Sequence, residues 1–296
     1  MTPSRSRFLE IRGLQLHLRE WGRPESPRLF LLHGWMDHSA SFQFIVDALA
    51  SEWHVIAPDW RGFGLSARAP QGYWFPDYLA DLEAIIEAVQ SDDAPLVLAG
   101  HSMGGNIAAL YAGIRPRRVA QLVLLDAFGL ADRPPEEAPG RYEKWLNELA
   151  RPQGFRSYDS VDAYAARLRQ DNPRLSAEQA DFLAASSVRP DGAGRYESHG
   201  DPAHRIVNPV LYRRAEAMAC WRRVQAPVLS LVPAGTGLRR LLGVEDDAHR
   251  AGQACFGDFR EVVIGDAGHN LHHDQPGRVA ALLEAFVLRG EIEVVA

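Results

Sequence analysis

Lysine is almost missing from this chain: of 32 basic residues only Lys144 is a lysine, and the rest are arginines scattered along the sequence. No block of like charge appears, and the net charge is −6. A nucleic-acid partner is therefore not expected, because such binding needs a clustered basic face. Cysteine is scarce as well. Cys220 and Cys255 are too few for a disulfide framework or a cysteine metal cluster. A reducing, cytoplasmic setting is the plain expectation. No apolar run reaches the length needed to cross a membrane. The first residues, Met1-Thr-Pro-Ser-Arg-Ser-Arg, have no apolar segment behind them, so no signal peptide is expected.

What is present is a chain of 296 residues, 46% of them hydrophobic. That is enough for one large α/β domain with an insertion, or for two ordinary domains. Arg7–Ile11 and Leu14–Leu18 alternate around Gly13 and read as a hairpin. Short apolar runs follow at Arg28–Leu32, Trp53–Ala57, Leu96–Ala99, Gln121–Leu125, Val228–Val232 and Glu261–Ile264. Helix-like segments lie between them at Ser41–Leu49, Tyr78–Gln90, Gly105–Ile114 and Gly277–Leu288. Buried-type strands alternating with helices predict an eight-stranded, mostly parallel sheet covered on both faces.

From Phe128 to Trp221 the rhythm breaks. No convincing buried strand is found there, prolines recur, and amphipathic helices are expected at Tyr142–Ala150, Val161–Arg169, Ala177–Ala185 and Pro209–Ala219. This stretch reads as a helical lid (residues 128–222) set into a core formed by residues 1–127 and 223–296. Its recurrent aromatics are explained by packing among lid helices.

The most informative stretch is Gly100-His101-Ser102-Met103-Gly104-Gly105. An apolar strand leads into it and a helix-like run follows. A serine between glycines at this spacing is a nucleophile elbow, with its hydroxyl presented at a helix N-terminus where developing negative charge is favoured. A serine is inert at neutral pH without a base, and the base needs an orienting acid. His269, after Gly268 in the loop following the last strand, is the candidate base. His272 and His273 compete, but they also fit a packing or capping pair at the start of a helix. The His33-Gly34-Trp35 step ends an early strand, so the backbone N–H groups of Trp35 and Met103 are candidate oxyanion donors; the alternative is a plain turn with Trp35 in the core.

The acid departs from the usual pattern. After the seventh strand the chain reads Leu231-Val232-Pro233-Ala234-Gly235-Thr236-Gly237, without a carboxylate. Asp126, at the tip of the sixth strand, is the expected acid, although it could instead cap the loop that follows. Glu245, Asp246 and Asp247 look like the first turn of a helix, and Asp247 is the second candidate.

Together with Asp59-Trp60-Arg61-Gly62-Phe63-Gly64-Leu65-Ser66, these motifs resemble the α/β-hydrolase superfamily over about residues 7–127 and 223–290. The phrases His33-Gly34-Trp35-Met36-Asp37 and Gly268-His269-Asn270-Leu271-His272-His273-Asp274-Gln275-Pro276 resemble its serine hydrolase-like subgroup. An acid at the tip of the sixth strand resembles some haloalkane dehalogenases. Those enzymes and the epoxide hydrolases use aspartate as nucleophile, and Ser102 at that position speaks against both activities. The expected function is cleavage of a small or medium carboxylic ester through an acyl-enzyme, with no cofactor and no metal. The same parts serve a carbon–carbon hydrolase, a lactonase or an amidase. A binding protein with a vestigial site is the remaining alternative. The partner expected is a small-molecule substrate.

Overall fold

The computed structural model describes residues 1–290 apart from 91, 93, 152 and 236. Residues 291–296 of the expected core and Thr236 of the acid-free run thus lie outside the described residues. The chain opens with β1 (Ser4–Ile11) and β2 (Leu14–Trp21), which pair antiparallel with Ile11 opposite Leu14. Their two-residue turn holds Arg12 at φ +50° and Gly13 at φ +78°. Left-handed backbone at both positions matches the right-handed twist of the flanking strands. Arg12 accepts this conformation while its guanidinium grips Asp77 at 2.9 Å and Asp81 at 3.2 Å.

The strands β3 (Arg28–Leu32), β4 (His54–Pro58), β5 (Leu96–His101), β6 (Val119–Leu125), β9 (Val228–Pro233) and β10 (Phe259–Ile264) complete one sheet in the order β1-β2-β4-β3-β5-β6-β9-β10. Every neighbouring pair from β4 to β10 is parallel. Of these, the strands from β3 to β9 are short and apolar because both faces are covered, whereas the edge strand β10 leaves Glu261 and Val263 exposed. On one face α2 (Phe75–Val89), α3 (Met103–Ile114) and α7 (Arg214–Trp221) pack through Leu82, Ile85, Ile107, Tyr111 and Trp221. On the other, α1 (Gln43–Ala48) and α11 (Pro276–Arg289) pack through Ile45, Val279, Leu283 and Phe286. The parallel topology brings the loops after β3, β5, β6 and β10 to the same edge of the sheet.

Between β6 and β9 lie α4 (Ala138–Leu149), α5 (Val161–Asp171), α6 (Ala177–Ser187), a small hairpin of β7 (Val188–Pro190) and β8 (Tyr196–Ser198), and α7. The hairpin departs from the all-helical expectation. Each of its strands has three residues, no apolar alternation marks them, and its turn needs Gly192 and Gly194 at φ +81°. Helix α7 starts at Arg214 and not at Pro209, because the Asp132 carboxylate accepts the Arg214 N–H at 2.9 Å and fixes the first turn there. The Arg214 guanidinium then donates to the carbonyls of Phe128, Leu130 and Ala248, tying both ends of the insertion to α9 (Asp246–Gln253). The short α8 (Gly237–Leu241) precedes α9, and α10 (Leu271–Asp274) leads into α11.

Candidate active site

Ser102 sits between β5 and α3 at φ +50°, ψ −115°. A non-glycine residue in this region is strained, and such strain persists only where the surroundings enforce it. Here the glycines enforce it. A Cβ on Gly100 would lie 2.5 Å from the Gly104 carbonyl carbon and the Gly105 nitrogen. One on Gly104 would lie 2.1 Å from the Leu32 carbonyl oxygen. The turn therefore closes only because neither residue has a side chain. The Ser102 N–H is held by the Leu125 carbonyl at 2.9 Å, and the Ser102 carbonyl receives the Asn106 N–H at 3.0 Å.

The loop after β3 runs close above the serine. A Cβ on Gly34 would be 3.2 Å from the Ser102 Cβ. His33 anchors that loop: its Nδ1–H donates to the Gly34 carbonyl at 2.7 Å and its Nε2 accepts the Trp60 N–H at 3.0 Å. Burial holds the His33 ring below the usual imidazole range, in keeping with one bare nitrogen. Trp35 is 55% exposed, so its side chain is not in the core. Met103 opens α3 directly after the serine.

Asp126 continues β6 by donating its N–H to Leu231 at 2.8 Å, then turns at φ +46°. This turn aims the buried carboxylate at the loop after β10. There the His269 Nδ1 stands 2.6 Å from the Asp126 Oδ2. The His269 carbonyl receives the Nε2–H of His101 at 2.9 Å, and the two rings are 4.6 Å apart between centroids. Because His101 adjoins Ser102 in the chain, this contact fastens the loop that carries His269 to the residue before the serine. Among the described residues no hydrogen bond joins the Ser102 hydroxyl to His269. Asp247 is elsewhere: its side chain is 94% exposed in the first turn of α9 and pairs with Arg250. His272 and His273 are buried and lie against Phe42 and Phe44, away from Asp126.

Asp126 and His269 line a cavity of about 620 Å³, together with Phe128, Arg174, Gly268 and Pro233. Arg174 comes from the insertion, in the loop between α5 and α6. Other links join the insertion to this edge. The Gln179 amide donates to the His273 carbonyl at 3.0 Å, and Asn172 donates to Asp274 at 2.7 Å. His38 and Ser187 meet at 2.8 Å.

Two groups of residues here escape sequence reasoning. Asp59 is buried, bonded to His17 at 2.7 Å, to the Ser39 N–H at 2.6 Å and to the Leu65 N–H at 2.9 Å. Burial acts to raise its carboxyl, but the His17 hydrogen bond and the neighbouring His17, His33 and His38 rings hold it far below the usual range. It braces the loops that carry Gly34 and Phe63. Asp37, Ser41, His101 and His272 form a second group, buried but for the half-buried Asp37. Its members come from the segment after β3, the end of β5 and α10, and no spacing along the chain announces their meeting.

The profile of the alpha/beta hydrolase fold matches residues 27–276. A serine hydrolase-like protein of Danio rerio is 29% identical over 287 residues, spanning 94% of this chain and 85% of that protein. Epoxide hydrolase A of Mycobacterium tuberculosis is 27% identical, over 95% of this chain and 96% of its own length. Among solved structures, a thioesterase domain from the curacin biosynthetic pathway superposes with a TM-score of 0.85 at 26% identity, covering 95% of this chain and 99% of that domain. With the sheet order and the strand–serine–helix turn, these likenesses identify the chain as a hydrolase that belongs to the α/β-hydrolase superfamily, in its serine hydrolase-like subgroup.

Proposed function

We propose that the protein is a serine esterase acting on small or medium carboxylic esters through an acyl-enzyme. The observation that carries this reading is the 2.6 Å contact between His269 Nδ1 and Asp126, taken with a serine held on a strained elbow. In this mechanism the Ser102 hydroxyl attacks the acyl carbon while His269 Nε2 takes its proton. Asp126 fixes the tautomer by accepting from Nδ1–H and stabilises the imidazolium. Backbone N–H groups of Trp35 and Met103 receive the oxyanion, each worth about 2.7–4 kcal/mol of barrier. His269 returns the proton to the leaving alcohol, then activates water to cleave the acyl-enzyme. The Ser102–His269 hydrogen bond forms with substrate in place, since such bonds are often long in the free enzyme.

Residues 128–222 act as the cap in this reading. Their links to His273, Asp274 and His38 support it. The likeness to a thioesterase domain extends the acyl class to thioesters. The likeness to an epoxide hydrolase does not carry epoxide chemistry over, because Ser102 stands where those enzymes resemble one another in using aspartate.

A fluorophosphonate probe tests the assignment. Wild type should be labelled once, at Ser102, and Ser102→Ala should not be labelled. Labelling that survives the substitution, or none in wild type, overturns the reading.

A further inference from the structure

The buried group behind the elbow has an arrangement that the esterase mechanism does not use. Asp37 follows Trp35 by two residues, His101 precedes Ser102, and His272 follows His269 by three. One nitrogen of each histidine and one carboxylate oxygen of Asp37 all lie within 4.8 Å of one another. Asp37 Oδ2 and His272 Nε2 are 3.7 Å apart, too far for a hydrogen bond. Zinc bonds of about 2.0–2.2 Å in a tetrahedron set ligand atoms about 3.3–3.6 Å apart, so this gap is near the spacing an ion needs. The Ser41 hydroxyl bridges the same two groups, 2.7 Å from Asp37 Oδ2 and 3.4 Å from His272 Nε2.

His101 supplies the second observation. It is 3% exposed, and its Nε2–H is committed to the His269 carbonyl. That bond fixes the tautomer and leaves Nδ1 as a bare lone pair, with no partner among the described residues. Nδ1 faces the loop of Asp37, 2.9 Å from where a Cβ on Gly34 would stand. A buried acceptor left unpaired is costly. A ring whose outer N–H is held by a backbone carbonyl is also the usual state of a metal-bound histidine. His272 is fully buried, whereas the Asp37 side chain is 18% exposed, which leaves one side open for an ion to arrive.

We propose that Asp37, His101 and His272 form a binding site for a divalent transition-metal ion of the zinc type, and that its occupancy inhibits the neighbouring hydrolytic site. Two imidazoles and one carboxylate suit zinc, cobalt or nickel and disfavour magnesium and calcium, which prefer all-oxygen shells. The fourth position falls to the Ser41 hydroxyl or to solvent on the Asp37 side. Inhibition follows from the connectivity. Closing three ligands on one ion shifts the loops bearing Trp35, Ser102 and His269 together, and the added positive charge opposes the imidazolium at His269. The inhibition rests on the esterase reading; the binding does not.

The test uses full-length protein stripped with chelator and dialysed against Zn²⁺, Co²⁺ or Mg²⁺. One Zn²⁺ should be retained per chain, Co²⁺ should give the visible absorption of a four-coordinate nitrogen–oxygen site, and Mg²⁺ should not bind. Ser102→Ala should bind Zn²⁺ as wild type does, whereas Asp37→Asn and His272→Gln should lose at least tenfold in affinity. Saturating Zn²⁺ should lower ester turnover of wild type at least tenfold. Imidazole NMR of wild type supplies a readout that needs no variant, because Zn²⁺ should move the His101 and His272 nitrogen resonances. Absence of binding, binding that survives both ligand substitutions, loss in Ser102→Ala, or unmoved His101 and His272 resonances each overturns the site. Binding without inhibition overturns only the regulatory half of the proposal, and a failed fluorophosphonate label with intact Zn²⁺ binding overturns the esterase reading alone.

Discussion

Asp126 and Asp247 are separated by their surroundings more than by their chemistry. Asp126 is 6% exposed, held at φ +46°, and its carboxylate meets His269 Nδ1 at 2.6 Å. Asp247 lies in water on a helix start, paired with Arg250. If Asp126 orients the base, its amide variant offers a donor where Nδ1–H also donates, which favours the wrong tautomer; in one well-studied protease the equivalent change costs about 10⁴ in kcat. Asp126→Asn is expected to lower kcat at least about 100-fold with an unchanged circular dichroism spectrum. Asp247→Asn and Glu245→Gln should each stay within about tenfold of wild type, as exposed first-turn charges do. Steady-state kinetics on one chromogenic ester, run on all three variants, decides this. A crippled Asp247→Asn beside an active Asp126→Asn would reverse the assignment. Reading the chain alone reaches Asp126 only because the run after the seventh strand lacks a carboxylate. Its reach to His269 depends on a left-handed backbone turn that aspartate gives no sign of adopting.

The 199–205 stretch of the insertion is fastened to the loop after β4 by a histidine. His204 is stacked between Phe63, at 3.7 Å between ring centroids, and Tyr73, at 3.5 Å. Its Nε2–H donates to the Arg61 carbonyl at 3.2 Å, while Tyr73 donates to Asp201 at 2.7 Å and Asp201 N–H reaches Gly62 at 2.7 Å. Burial pushes the His204 imidazole down from 6.5 to about 4. Between those values the unfolded chain takes up a proton that the folded one refuses, so stability falls as pH drops from about 6.5 to about 4 and levels off below. At about 1.36 kcal/mol per pH unit the loss from this group approaches about 3 kcal/mol. His101 and His273, also held low by burial, act in the same direction. His204→Phe keeps the stack and gives up one hydrogen bond, so its stability at pH 7.5 should lie within about 1.5 kcal/mol of wild type. Urea unfolding across this pH range should show a shallower acid loss for the variant, and parallel curves would refute the role given to His204. No pattern in the sequence singles out this clasp. The central strands were legible because burial on both sides makes them short apolar runs, β1 and β2 because they alternate around Gly13, and α2, α3 and α11 because their faces repeat. The β7–β8 hairpin and the first turn of α7 were not, since backbone pairing and the distant carboxylate of Asp132 set them.

At the scale of the whole molecule, insertion and sheet meet at Asp274. One of its carboxylate oxygens accepts from Asn172, at the end of α5, at 2.7 Å, and the other accepts the Gly268 N–H at 2.7 Å. Gly268 immediately precedes His269, so a single side chain ties the insertion to the loop that carries the candidate base. A charged acceptor on a backbone N–H is worth about 1.5–3 kcal/mol, roughly twice a neutral pair. Asp274→Ala is therefore expected to free the Gly268–His269 segment and lower kcat about tenfold or more, with little change in KM for a small ester. Asn172→Ala removes only the link to the insertion and leaves Gly268 held; kcat should fall less than about fivefold, while the insertion becomes more readily cleaved by protease. The double variant should be no slower than Asp274→Ala alone, because both changes act through one carboxylate and their effects should not add. A thermal melt accompanies each measurement. If Asp274→Ala lowers the melting temperature but leaves kcat intact, Asp274 is a fold contact only; if the two losses multiply, the insertion reaches His269 by another route.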